Sequence, residues 1–103
     1  MNSREKGKRG ELELARILRE RGFDARRGVQ YQGGTDSPDV VGLPGVHIEC
    51  KRVERLDLMG AYEQAFRDSA DDEIPAVFHK RNREPWMVTL TLEDFLKLYG
   101  GTR

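Results

Sequence analysis

A turn in the middle of the chain constrains this sequence most. Pro44-Gly45 separates two β-prone runs, Asp39–Leu43 and Val46–Lys51, and predicts an antiparallel hairpin. Residues two apart on a strand point the same way. Val46, Ile48 and Cys50 therefore form one face of the second strand, and the polar His47, Glu49 and Lys51 form the other. If Leu43 paired with Val46 across a two-residue turn, Asp39 would fall opposite Cys50 and face away from Glu49. A one-residue bulge or a three-residue loop instead sets Asp39 beside Glu49, and Gly42 and Gly45 permit either. The expectation is an irregular hairpin between Gly42 and Gly45 that gathers Asp39 and Glu49.

The rest of the chain alternates between helical and strand periods. Residues 7–22 predict a first helix, with Leu14, Ala15 and Leu18 on one face and Gly22 as its stop. Residues 23–27 predict a short strand, followed by a loop at 30–38 rich in Gly, Thr, Asp and Ser. A second helix is expected at 57–72, with Leu58, Tyr62, Ala65 and Phe66 on its apolar face. Strands follow at 75–79 and 86–90. Thr91 then caps a last helix that Gly100 ends. The order α-β-β-β-α-β-β-α implies an α/β fold, a mixed sheet of about five strands flanked by helices. At 103 residues the chain is expected to form a single domain, residues 1–103.

Composition narrows the setting. A single cysteine allows no intrachain disulfide, no apolar run approaches a membrane span, and residues 1–10 are too polar for a secretory signal. A cytoplasmic protein with no membrane association is the expectation. The 18 basic and 18 acidic residues cancel overall, but residues 1–27 hold nine Lys and Arg against five Asp and Glu. Zero net charge by itself argues against nucleic-acid binding; a basic amino-terminal region with an acidic remainder is compatible with a centre that binds a polyanion through metal but does not support one.

Glu11 lies three, four and seven residues before Leu14, Ala15 and Leu18, on the apolar stripe of its helix, where a carboxylate needs a partner. Two or three carboxylates with few other ligands suit Mg2+, with Mn2+ able to substitute. There is no Cys/His cluster for zinc, because Cys50 is alone and His47 and His79 lack the usual ligand spacing. Lys51, next to a metal-bound carboxylate, can orient an attacking hydroxide or offset transition-state charge.

Pro38-Asp39, nine intervening residues and Glu49-Cys50-Lys51 together resemble the PD-(D/E)xK pattern of the restriction-endonuclease-like nucleases. Lys6-Gly7, Glu11, Gly22-Phe23 and Arg26-Arg27 are similar to small Holliday junction resolvases of the archaeal and phage types. The likeness spans roughly residues 6–80. It implies Asp39 and Glu49 as metal ligands with the Cys50 carbonyl as a third, and Glu11 on the metal directly or through water. It also implies that Lys51 positions the nucleophilic water, that Gln64 stands beside the site, and that in-line hydrolysis leaves a 5′-phosphate and a 3′-hydroxyl. The pattern departs at Leu12, where the archaeal resolvases carry arginine, and Ser37 does not align clearly with their loop serine.

If the site is real, several of Lys8, Arg9, Arg26, Arg27, Arg52 and Arg55 should contact phosphate. Resolvases cut two strands symmetrically, so a homodimer is the economical arrangement, with the apolar segment from Trp86 to Tyr99 available as its interface. The function expected is a metal-dependent endodeoxyribonuclease acting on branched DNA. Two alternatives stay open: a repair or restriction-type nuclease acting on other DNA structures, and a catalytically inactive DNA-binding module.

Overall fold

The computed structural model describes residues 3–28 and 38–101. The elements are α1 (Ser3–Glu20), β1 (Arg26–Arg27), β2 (Val40–Val41), β3 (Val46–Arg52), α2 (Leu58–Asp68), β4 (Ile74–Lys80), β5 (Met87–Thr89) and α3 (Leu92–Leu98). The five strands form one sheet in the order β1-β2-β3-β4-β5. β3 and β4 run parallel, connected through α2, and the other pairs are antiparallel. The mixed five-strand sheet with flanking helices is the fold class that the sequence predicts. Among the described residues, no helix is long and apolar enough to cross a membrane.

The core lies between α1 and the sheet. Leu14 and Ala15 pack with Ala25, Val40, Ile48, Cys50, Ala76 and Phe78, with Leu18, Leu43, Val46, Trp86 and Leu90 around them. Full burial of side chains the size of Leu14 or Ile48 contributes about 1.5–3 kcal/mol each. The end of α1 is closed by paired backbone bonds, Phe23 N–H to the Leu18 carbonyl and Gly22 N–H to the Arg19 carbonyl. Gly22 takes a positive φ of 97°, as this closure requires.

α2 packs against β3 and β4, on the face to which Val77 and Glu49 point. Asp57 caps its start by accepting from Gly60 N–H, and Ala61 and Ala65 are its buried residues. The expected apolar face is corrected here. Phe66 is exposed and only approaches Tyr62, while Ala61 takes the inward place because small side chains let the helix sit close on the strands.

The strands also differ from expectation. The runs at 23–27 and 39–43 yield ladder residues only at Arg26–Arg27 and Val40–Val41, because the hairpin bends at both ends. β3 does not alternate between core and solvent. His47, Ile48, Glu49 and Cys50 are all buried, since α1 and α2 cover both faces of this central strand. The loop expected at 30–38 lies outside the described residues apart from Pro38.

Candidate active site

The site is built by the turn between β2 and β3. Val40 pairs with Ile48, a register that leaves Leu43-Pro44-Gly45 as a three-residue loop closed by Val46 N–H to the Leu43 carbonyl at 3.0 Å. Gly42 and Gly45 adopt φ values of 126° and 83°. A side chain at Gly42 would also collide with Ala25, so glycine is required there twice over. Carried on by one residue, the register brings Asp39 beside Glu49, which is the irregular hairpin that the sequence predicts.

Asp39 is fixed by three hydrogen bonds, one of them from the Gly28 N–H to its backbone carbonyl at 2.8 Å. Its backbone N–H donates to the Ile48 carbonyl at 2.9 Å, and its Oδ2 accepts from the Cys50 N–H at 2.8 Å. Oδ1 is left for another partner. Glu49, only 3% exposed, has Oε2 3.5 Å from the Lys51 Nζ. Burial first, and the neighbouring Asp39 charge second, push the Glu49 carboxyl up to about 7, against the opposing pull of Lys51. Asp39 is also raised, chiefly by burial and also by Glu11, while the Cys50 N–H, Lys51 and His47 act the other way.

A half-buried and a buried carboxyl side by side, with one lysine 3.5 Å from Glu49, are short of positive charge. A divalent cation would supply that charge, and an oxygen-only donor set fits Mg2+. The residues present therefore fit the expected metal.

The remaining candidates divide. Glu11 is partly buried on α1, and its Oε1 accepts from the Arg27 Nε at 2.8 Å. It influences Asp39 electrostatically but does not join Asp39 and Glu49 in a compact three-ligand group. The Cys50 thiol points into the α1-side core, where burial raises its pKa, so only its backbone carbonyl is available. Gln64 is half-buried on α2, one turn before Asp68.

The basic residues do not form one patch. Arg9 and Arg52 line a groove of about 540 Å³ with Lys6, where Arg52 also meets Glu13 at 3.5 Å and Asn82 at 3.0 Å. Arg55 lies in a second cleft with Lys80 and Arg81, and Arg26 in a third beside the hairpin. Lys8 is exposed on α1, and Arg27 is held by Glu11.

Two residues were missed in sequence. Asp68 and His47 place ligand atoms within 4.8 Å of a Glu49 oxygen and of each other, the one such group among the described residues. The signals available were the two-residue spacing of His47 and Glu49 on a strand, and the four-residue spacing of Gln64 and Asp68 on a helix.

The family model of the archaeal Holliday junction resolvase (Hjc) matches residues 2–63. The chain belongs to the archaeal Holliday junction resolvase family. The matched segment holds Glu11, Asp39, Glu49 and Lys51 and ends before Asp68. Among solved structures, the 1.6 Å structure of Archaeoglobus fulgidus Hjc, a Holliday junction resolvase from an archaeal hyperthermophile, superposes with a TM-score of 0.62 at 28% identity, covering 82% of this chain and 72% of that one. No curated protein sequence matches the chain. The resolvase family thus accounts for the sheet, for α1 and for the hairpin that carries the carboxylates.

Proposed function

We propose that this resolvase-family nuclease cleaves branched DNA by metal-assisted hydrolysis at Asp39, Glu49 and Lys51. The observation that carries the reading is the half-buried Asp39 carboxyl beside the buried Glu49 carboxyl, both raised, with Lys51 3.5 Å from Glu49. Asp39 Oδ1, a Glu49 oxygen and the Cys50 carbonyl would hold Mg2+, with Mn2+ able to replace it. The ion, when bound, acidifies a coordinated water and offsets charge on the phosphate. Lys51 holds the nucleophile in place and supplies positive charge to the transition state. The Cys50 N–H keeps Asp39 oriented, and Arg27 keeps Glu11 in place at the edge of the site, where it would support the ion directly or through water. Gln64 stands beside the centre from α2. The grooves holding Arg9, Arg26, Arg52 and Arg55, with exposed Lys8 on α1, receive the phosphates of the arms.

A homodimer suits symmetric cutting. Its support is an unusually apolar surface on β5 and α3, where Met87, Val88, Leu92, Phe95, Leu98 and Tyr99 are all exposed. Sedimentation should give a dimer at micromolar concentration that Leu92→Glu with Tyr99→Glu converts to monomer; a monomeric native protein overturns this part.

The test of the activity is cleavage of a labelled four-way junction against its linear duplex, with Mg2+ or EDTA, by the native chain and Asp39→Asn. Paired nicks in the junction alone, lost with EDTA and in the variant, establish it. Equal cutting of duplex discards the junction preference, and no cutting by folded protein leaves a DNA-binding module.

A further inference from the structure

His47 is the residue that the nuclease centre does not use. It is 1% exposed, and neither ring nitrogen has a hydrogen-bond partner. Buried polar groups are almost always satisfied, so an orphaned imidazole indicates a missing partner. Three acidic residues approach it. Glu49 on the same strand face and Asp68 at the end of α2 lie within ligand range. Glu73 Oε1 lies 3.7 Å from Nδ1, beyond a hydrogen bond, and already accepts from the Ala70 N–H.

We propose that His47, Glu49 and Asp68 form a second cation site, selective for a divalent transition ion of the Zn2+ class. A neutral imidazole offers one nitrogen as a lone-pair donor and the other as an N–H. The lone pair takes the ion, and the N–H turns toward a carboxylate such as Glu73, as metal-bound histidines commonly do. Imidazole with two carboxylates suits Zn2+ and its neighbours, whereas Mg2+ favours oxygen alone. The site shares Glu49 with the proposed nuclease centre but does not require Asp39.

The competing account is a buried imidazolium balanced by the three carboxylates, with no ion. Nitrogen-15 spectra of the histidine rings in the full chain separate the two. The chain has two histidines, and His79, bonded to Thr89 Oγ1 at 2.9 Å, serves as the internal control. Adding Zn2+ to metal-free protein should move one ring nitrogen of His47, saturating at one ion, while His79 stays and Mg2+ moves neither. Asp68→Asn should weaken Zn2+ binding about tenfold or more, and Asp39→Asn should leave the His47 shift in place.

An unmoved His47 at saturating Zn2+ overturns the site, and the native protein alone decides that point. Loss of the shift in Asp39→Asn overturns it as a separate site, since the ion would then belong to the nuclease centre. Unchanged affinity in Asp68→Asn overturns the part given to Asp68. Junction cleavage by Asp39→Asn is read separately and tests the nuclease centre alone.

Discussion

The two faces of β3 are equally buried and chemically opposite. Toward α1 it presents Val46, Ile48 and Cys50 to a close-packed apolar core; on the other face His47, Glu49 and Lys51 meet α2. Ile48 is 0% exposed and Glu49 3%, so solvent does not distinguish them. Partners do. Each side chain on the apolar face is satisfied by its neighbours, whereas the polar face holds the raised Glu49 carboxyl and an imidazole with no hydrogen-bond partner among the described residues. Burying Glu49 in this way costs stability, and the cation proposed for the site would offset that cost.

The largest effect should come from the polar face. Asp39→Asn or Glu49→Gln is expected to slow junction cleavage at least about a hundredfold, because removing a ligand costs more than removing its outer support. Single-turnover assays at saturating Mg2+ check this, and near-native rates in both variants would erase the functional contrast between the faces.

On the apolar face, Ile48→Ala should cost between about 2 and 5 kcal/mol of stability, the range for a truncated core aliphatic. Urea denaturation measures it. A cost below about 1 kcal/mol would mean that α1 is loosely seated.

Acidity gives the third contrast. Below about pH 4.5 folded and unfolded chains both hold the Glu49 proton, and from there to about 7 only the folded chain does. Stability of the metal-free protein therefore declines as pH rises through this window, by about 3 kcal/mol in all. The raised Asp39 carboxyl acts in the same direction. Thermal melts in EDTA between pH 4.5 and 8 should show the decline, Glu49→Gln should flatten it, and Mg2+ should oppose it at the alkaline end. A stability that rises with pH in EDTA contradicts a raised Glu49.

The smallest effect belongs to Cys50. Cys50→Ala removes one buried sulfur and keeps the backbone carbonyl, so a loss of only about 1 kcal/mol is expected in the same urea measurement. A loss as large as that of Ile48→Ala would show that the thiol packs more tightly than its neighbours suggest.

The sequence by itself determined the element order, the α/β class and the nearness of Asp39 to Glu49. Those features are local: periodicity sets helix or strand, and Gly42 and Gly45 around a proline turn set the register. Only the tertiary structure decided what covers each face. Period-two alternation on β3 reads as core against solvent until α2 crosses from β3 to β4 and closes the second face. The same crossing brings Asp68, nineteen residues from Glu49, into ligand range, and no local pattern encodes that approach. The pairing of Glu11 with Arg27 and the scatter of the basic residues over three clefts also depend on how α1 and the loops pack. Strand periodicity fixes which way a side chain points; whether that direction leads to water, to carbon or to another charge is settled only when the layers meet.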